Sequence, residues 1–167
     1  MELNQPAVNF ELPDLQGKIY RLCDFRGKIV IINFWSAECP HSARTDAVIL
    51  KLLDGWNGEV ELLSIAANGN ESIQMVEEVA KARRVPIVLI DPQHIVADQY
   101  AAMTTPHVFV IDREGILRYR GAVDDLTFRH REATRFFLQE AVQGLLSGYL
   151  PELSETPAYG CTIVREI

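Results

Sequence analysis

Cys39 lies in the segment Asn33-Phe-Trp-Ser-Ala-Glu-Cys-Pro-His-Ser42, where an apolar run gives way to a helical pattern. A thiol becomes a good nucleophile only as the thiolate. The start of a helix favours that form through its free backbone N–H groups and the positive end of its dipole. Pro40 suits the first helical turn, so Cys39 is expected just ahead of it. The chemistry implied is thiolate attack on a disulfide, or oxidation of Cys39 itself. His41, if protonated or donating a hydrogen bond, would add to the effect. Arg44 in the next turn either helps the thiolate or points to solvent. Glu38 is either a solvated loop charge or a carboxylate that raises the thiol pKa and takes up a proton.

The other sulfur is sparse. Cys23, Cys39 and Cys161 are too few and too scattered for a disulfide framework, and the odd count leaves at least one thiol free or bonded to another molecule. The three cysteines and four histidines show neither a CxxC pair nor zinc-finger spacing, so no structural metal and no cofactor are expected. Cys23 follows Leu22 at the end of a predicted strand, where a packed side chain is the simpler reading. His94 and His130 read as surface positions of helices.

The elements that must position Cys39 follow from the periodicity. Asn9–Leu12 and Lys18–Leu22 alternate around Pro13-Asp-Leu-Gln-Gly17, which predicts an N-terminal β-hairpin. Ile29–Trp35 is apolar on both faces, as in a strand in the middle of a covered sheet. Ile49, Leu52, Leu53 and Trp56 recur at helical spacing after Pro40. A strand at Val60–Ala66, a helix around Ile73–Lys81, a strand at Pro86–Ile90 and a short helix at His94–Tyr100 follow. His107–Ile111 and Ile116–Gly121 form a second hairpin, and a long helix is predicted over about Arg129–Leu146. The order places helices on both faces of a mixed central sheet, an α/β fold.

With 167 residues, 48% of them hydrophobic, the chain has the size of one domain with a real core. Residues 1–148 are read as that domain and 149–167 as a C-terminal tail carrying Cys161. Sixteen basic against 23 acidic residues give a net charge of −7, which argues against nucleic acid and anionic membranes as partners. No stretch approaches the roughly 20 apolar residues of a membrane span, so no stable membrane insertion is expected. The segment Met1–Pro6 lacks the basic start and apolar core of a secretory signal. It predicts the cytoplasm for a full-length chain, and an extracytoplasmic site if a leader has been removed.

Over most of its length the sequence resembles the thioredoxin-like redoxins, the broad family of thiol:disulfide oxidoreductases and alkyl hydroperoxide reductase relatives. The likeness is carried by Pro6–Asp14, Leu22–Lys28, Ile29–Cys39 and Thr104-Thr-Pro106 with Val108–Asp112. It implies a thioredoxin-like fold with Cys39 as nucleophile, Pro106 as a cis proline facing it, and Thr105 as the backbone that pairs with an incoming peptide. Pro40 and Trp35, on either side of the cysteine, complete the implied substrate-binding set. Partners would be protein or small-molecule disulfides and thiols, or a peroxide.

The departure from the family pattern is Ser42, where its members usually carry a second cysteine. A hydroxyl can donate to the Cys39 thiolate and lower its pKa, but it cannot form a disulfide, so dithiol exchange through this motif alone is excluded. Redoxin relatives sometimes end in a Gly-Cys motif, as Gly160-Cys161 does here. Cys161 is thus either the resolving partner of Cys39 or a buried small hydrophobe, in which case an external thiol resolves Cys39. Peroxiredoxins place Thr or Ser three residues before the cysteine and Pro four before that. Here Ser36 fits and Ile32 does not. His107 could face the site or the far side of its strand. A thioredoxin-fold binding module without redox chemistry is the remaining alternative.

Overall fold

A computed structural model describes residues 1–165. The central strand β3 (Ile29–Trp35) pairs in parallel with β4 (Val60–Ala66), which pairs in parallel with β5 (Val88–Ile90). On its other side β3 runs antiparallel to β7 (His107–Ile111), which is paired with β8 (Leu117–Gly121). The sheet order is therefore β5-β4-β3-β7-β8. A separate hairpin, β1 (Glu11–Pro13) with β2 (Ile19–Arg21), lies at the N-terminus. This is a thioredoxin-like α/β fold: a mixed sheet flanked by helices, with an N-terminal β-hairpin.

The layers follow from the alternation of β3, all seven residues of which are buried. Ile29 and Ile31 face Ile49 of α1 (Pro40–Asp54), Trp56 in the turn just after it, and α4 (Phe137–Leu146) through Leu138, Ala141 and Val142. Val30, Ile32 and Phe34 face the opposite core with Phe10, Leu12, Leu22 and α3 (Ile95–Gln99). Trp35 shares a third cluster with Val76 and Ala80 of α2 (Ile73–Arg83). Two right-handed crossovers in one direction, β3-α1-β4 and β4-α2-β5, put both helices on one face of the sheet. The end of β3 and the start of α1 therefore sit where the sheet meets its helical layer.

Two expectations need correction, the extent of the last helix and the packing of Cys23. The last helix begins at Phe137, not near Arg129. Asp125 captures residues 129–136 as a loop: its carboxylate accepts the Thr134 N–H at 2.8 Å and the Thr134 hydroxyl at 2.6 Å, while its own N–H donates to the Arg135 carbonyl. His130 is thus an exposed loop residue. Cys23 is exposed rather than packed, because the 3-10 turn Leu22–Phe25 directs Leu22 inward instead. The region after Gly148 is tied down. It runs beside β8 through Arg120 N–H to Ser154 O and Thr156 N–H to Arg120 O, then forms β9 (Cys161–Thr162), antiparallel to β6 (Thr104–Thr105). No helix among the described residues is long and apolar enough to cross a membrane.

Candidate active site

Cys39 is the N-cap residue of α1, with extended backbone angles (φ −78°, ψ 122°) and Pro40 as the first helical residue. Proline leads the helix because its missing N–H is one of the donors that have no intrahelical partner there. The Cys39 side chain is almost wholly buried, at 3% exposure, while Cys161 is half-buried. The two are joined by a disulfide with Cα atoms 6.3 Å apart, within the ordinary range for such a bond.

The loop before Cys39 is held from outside its own sequence. Glu71, between β4 and α2, accepts the Ala37 N–H at 2.8 Å, the Glu38 N–H at 3.4 Å and the Ser36 hydroxyl. Ser36 Oγ in turn accepts the Cys39 N–H at 3.1 Å. From the other side, the Arg83 guanidinium donates to the carbonyls of Ser36 (3.0 Å) and Ala37 (2.6 Å) and to Asp46 (3.3 Å). Asp46 also takes the Trp35 indole N–H at 2.6 Å. Burial raises the Asp46 pKa, and the Trp35 hydrogen bond and Arg83 oppose that shift. Glu71, Arg83 and Asp46 lie 34, 46 and 9 residues from Ala37 in sequence and carry no signal that would connect them to it.

The predicted site residues fall as follows. Ser42 is buried, and its hydroxyl accepts the Ser36 N–H at 3.2 Å; among the described residues it makes no hydrogen bond to the Cys39 sulfur. Trp35 is wholly buried beneath Arg83, whose guanidinium carbon lies 5.2 Å from the ring, so it offers no surface to a substrate. Pro40 is exposed and His41 half-buried. The His41 ring meets Tyr159 edge to face at 5.0 Å. The Thr105–Pro106 peptide bond is cis, both residues are buried, and the Thr105 carbonyl oxygen lies 3.2 Å from Cys39 Sγ. An oxidised sulfur has no proton, so this is a close approach; once reduced, the thiol can donate to that oxygen.

Of the remaining charged candidates, Arg44 is taken up by a bidentate ion pair with buried Asp124, both bonds at 2.9 Å. Glu38 is an exposed loop residue. His107 is buried beside Phe109, with Nδ1 accepting the Met103 N–H at 3.3 Å. Burial pushes its pKa down to about 4, with Arg120 acting in the same direction and Glu155 against it. His94 is the N-cap residue of α3 rather than a surface position within it, and its Nδ1 lies 2.5 Å from the Ala67 carbonyl.

A sequence model of the AhpC/TSA family matches residues 3–120, a span that holds Cys39, Thr105 and Pro106 and ends before the tail. The chain is 36% identical over 112 residues to the thiol-disulfide oxidoreductase ResA of Geobacillus thermodenitrificans (strain NG80-2). That alignment covers 65% of this chain and 63% of the relative, so the chain spans just under two thirds of the relative's length. A solved structure of a hypothetical protein from Sinorhizobium meliloti 1021 superposes with a TM-score of 0.87 at 28% identity, covering 98% of this chain and 94% of that one. An uncharacterized conserved protein from Geobacillus kaustophilus gives 0.88 at 24% identity over 99% and 93%, a likeness of fold. The chain belongs to the AhpC/TSA family and is a thioredoxin-fold relative of the thiol-disulfide oxidoreductases.

Proposed function

We propose that this chain is a thiol–disulfide oxidoreductase in which Cys39 is the nucleophile and Cys161 the resolving thiol. The observation that supports this most is the Cys39–Cys161 disulfide itself, with one sulfur at a helix N-terminus and the other on a strand paired beside the Thr105–Pro106 loop. The Cys39 thiolate attacks one sulfur of a protein or small-molecule disulfide. A mixed disulfide forms, and the second substrate sulfur leaves as a thiolate. Cys161, as its thiolate, then attacks Cys39 Sγ and expels the remaining substrate sulfur. The substrate gains two electrons, and the protein ends as the Cys39–Cys161 disulfide. In the reverse direction the same steps deliver a disulfide to a dithiol.

The helix start stabilises Cys39 as both attacking and leaving thiolate, and Ser36, Glu71 and Arg83 keep its loop in register with the Thr105 backbone. Peroxide is the alternative oxidant: it would convert Cys39 to a sulfenic acid, which condenses with the Cys161 thiol and releases water. Ser36, the hydroxyl three residues before the cysteine, is already engaged by Cys39 N–H and Glu71, which favours a disulfide as the substrate.

The test is peptide mapping by mass spectrometry after the reduced protein meets one equivalent of an oxidised dithiol or of hydrogen peroxide. The expected product of the dithiol is a linked Cys39–Cys161 peptide, and Cys161→Ser should stop at a mixed disulfide on Cys39. A Cys39 thiol that stays unmodified under both oxidants would overturn the reading in favour of a redox-inert binding module.

A further inference from the structure

The two-residue strand β9 lies where a partner would have to lie. Thr104 pairs with Thr162 and Thr105 with Cys161, antiparallel, beside the buried Cys39. Tyr159 covers His41. Gly160 sits so close to the Thr105 backbone that a Cβ added there would fall 2.7 Å from the Thr105 carbonyl carbon and 3.0 Å from Pro106 Cδ. The obstacle is main chain and a proline ring, so it cannot swing aside. The segment is also held at both ends. Thr156 Oγ1 accepts the Ala122 N–H at 3.0 Å, Ile163 is buried in the core, and Val164 N–H reaches Asn68 Oδ1 at 2.8 Å. Between those anchors, residues 157–162 form a strap across the sulfur.

We propose that the Tyr159–Thr162 strap is a built-in occupant of the Thr104–Thr105 edge, where the family resemblance places an incoming peptide, and that an outside partner reaches Cys39 there as an extended strand with glycine directly before its own cysteine. This rests on the reading of Cys39 as the nucleophile. The strap displays the accepted register: cysteine opposite Thr105 and, before it, a residue with no side chain. A partner in that register meets the same Thr105 carbonyl, and any side chain at the preceding position clashes with it. Specificity therefore comes from a steric exclusion at one position. The strap and the partner compete for one edge, so Cys39 becomes accessible only when residues 157–162 lift.

The test uses the full chain with Cys23→Ser and Cys161→Ser, which leaves Cys39 as its one thiol. Two blocked peptides, Tyr-Gly-Cys-Thr-Ile and Tyr-Ala-Cys-Thr-Ile, are each supplied as mixed disulfides with thionitrobenzoate. Attack by Cys39 on the peptide sulfur forms the protein–peptide disulfide and releases the coloured thionitrobenzoate anion. The glycine peptide should react faster by about tenfold or more, the scale on which one misplaced methyl or methylene is rejected. Adding Gly160→Ala to the same protein should loosen the strap and speed both peptides. Equal rates for the two peptides, with Cys39 reacting normally towards the small symmetrical disulfide of thionitrobenzoate, would overturn the inference alone. Unchanged rates on Gly160→Ala would overturn the competition between strap and partner. A Cys39 inert even to the small disulfide would overturn the nucleophile assignment, and the inference with it. The peptide ratio can be repeated on Cys161→Ala should the serine variant fold poorly.

Discussion

The Glu71 carboxylate takes the Ala37 amide hydrogen at 2.8 Å, and through it a loop 34 residues away fixes the approach to Cys39. One carboxylate accepts from two backbone amides of that approach, from the Ser36 hydroxyl and from the Asn68 side chain. Glu71→Gln keeps the size but leaves a single acceptor oxygen, so at least one donor in a half-buried site goes unpaired. The expected cost is about 1–3 kcal/mol in urea unfolding. The reduced Cys39 thiol should also react more slowly with a small disulfide, because its N-cap geometry loosens. Unchanged stability and rate would remove Glu71 from the positioning of this loop.

Arg83 and Asp46 form a pair that should tolerate double substitution better than the single loss of Arg83. Arg83→Met leaves Asp46, 1% exposed, without its cation and frees two loop carbonyls. Breaking a buried pair from one side costs about 3–5 kcal/mol. Combining Arg83→Met with Asp46→Asn removes the orphaned charge, so the double variant should recover part of that loss. A double-mutant cycle by chemical denaturation measures the coupling, and strict additivity would contradict the pairing.

The disulfide joins residues 122 apart in sequence. Cross-linking so long a stretch removes entropy from the unfolded chain and typically contributes about 2–4 kcal/mol. Urea unfolding with and without a reductant should show this difference in wild type and not in Cys161→Ser. A reductant-sensitive Cys161→Ser protein would point to another sulfur.

How much of this was legible in the sequence varies with its physical origin. β3, α1 and the position of Cys39 before Pro40 rest on local pattern, and the fold follows from them. The loop at residues 129–136 reads as helix because Ala133 and Phe136 fall at helical spacing, while Asp125, outside that pattern, ties up Thr134 and the Arg135 carbonyl. The resemblance places Trp35 among the substrate-binding residues, yet its place in β3 turns it inward to Asp46. Glu71 and Arg83 act over distances at which residue spacing carries no signal, and a glycine forbidden a side chain by a distant backbone looks in sequence like any flexible glycine.

His107 makes stability depend on pH in a defined direction. Its folded pKa of about 4 lies below the ordinary value of 6.5, so the unfolded chain binds the proton first. Its contribution is present above about pH 6.5 and is lost as the pH falls towards 4, on the order of 3 kcal/mol in all. Asp46, raised by burial, acts in the opposite sense, since the folded state then takes its proton earlier. In an Asp46→Asn background, unfolding free energy should therefore drop between pH 6.5 and 4, and His107→Gln should flatten that slope.

Because the strap is fastened at Thr156 and again at Ile163, Cys161 cannot diffuse away when its bond to Cys39 opens. A thiol tethered on so short a segment acts at an effective concentration in the millimolar range. Under the proposed chemistry, any sulfenic acid formed on Cys39 meets that thiol before a second oxidant at lower concentration arrives. On that proposed chemistry the strap shields Cys39 from irreversible over-oxidation to sulfinic acid.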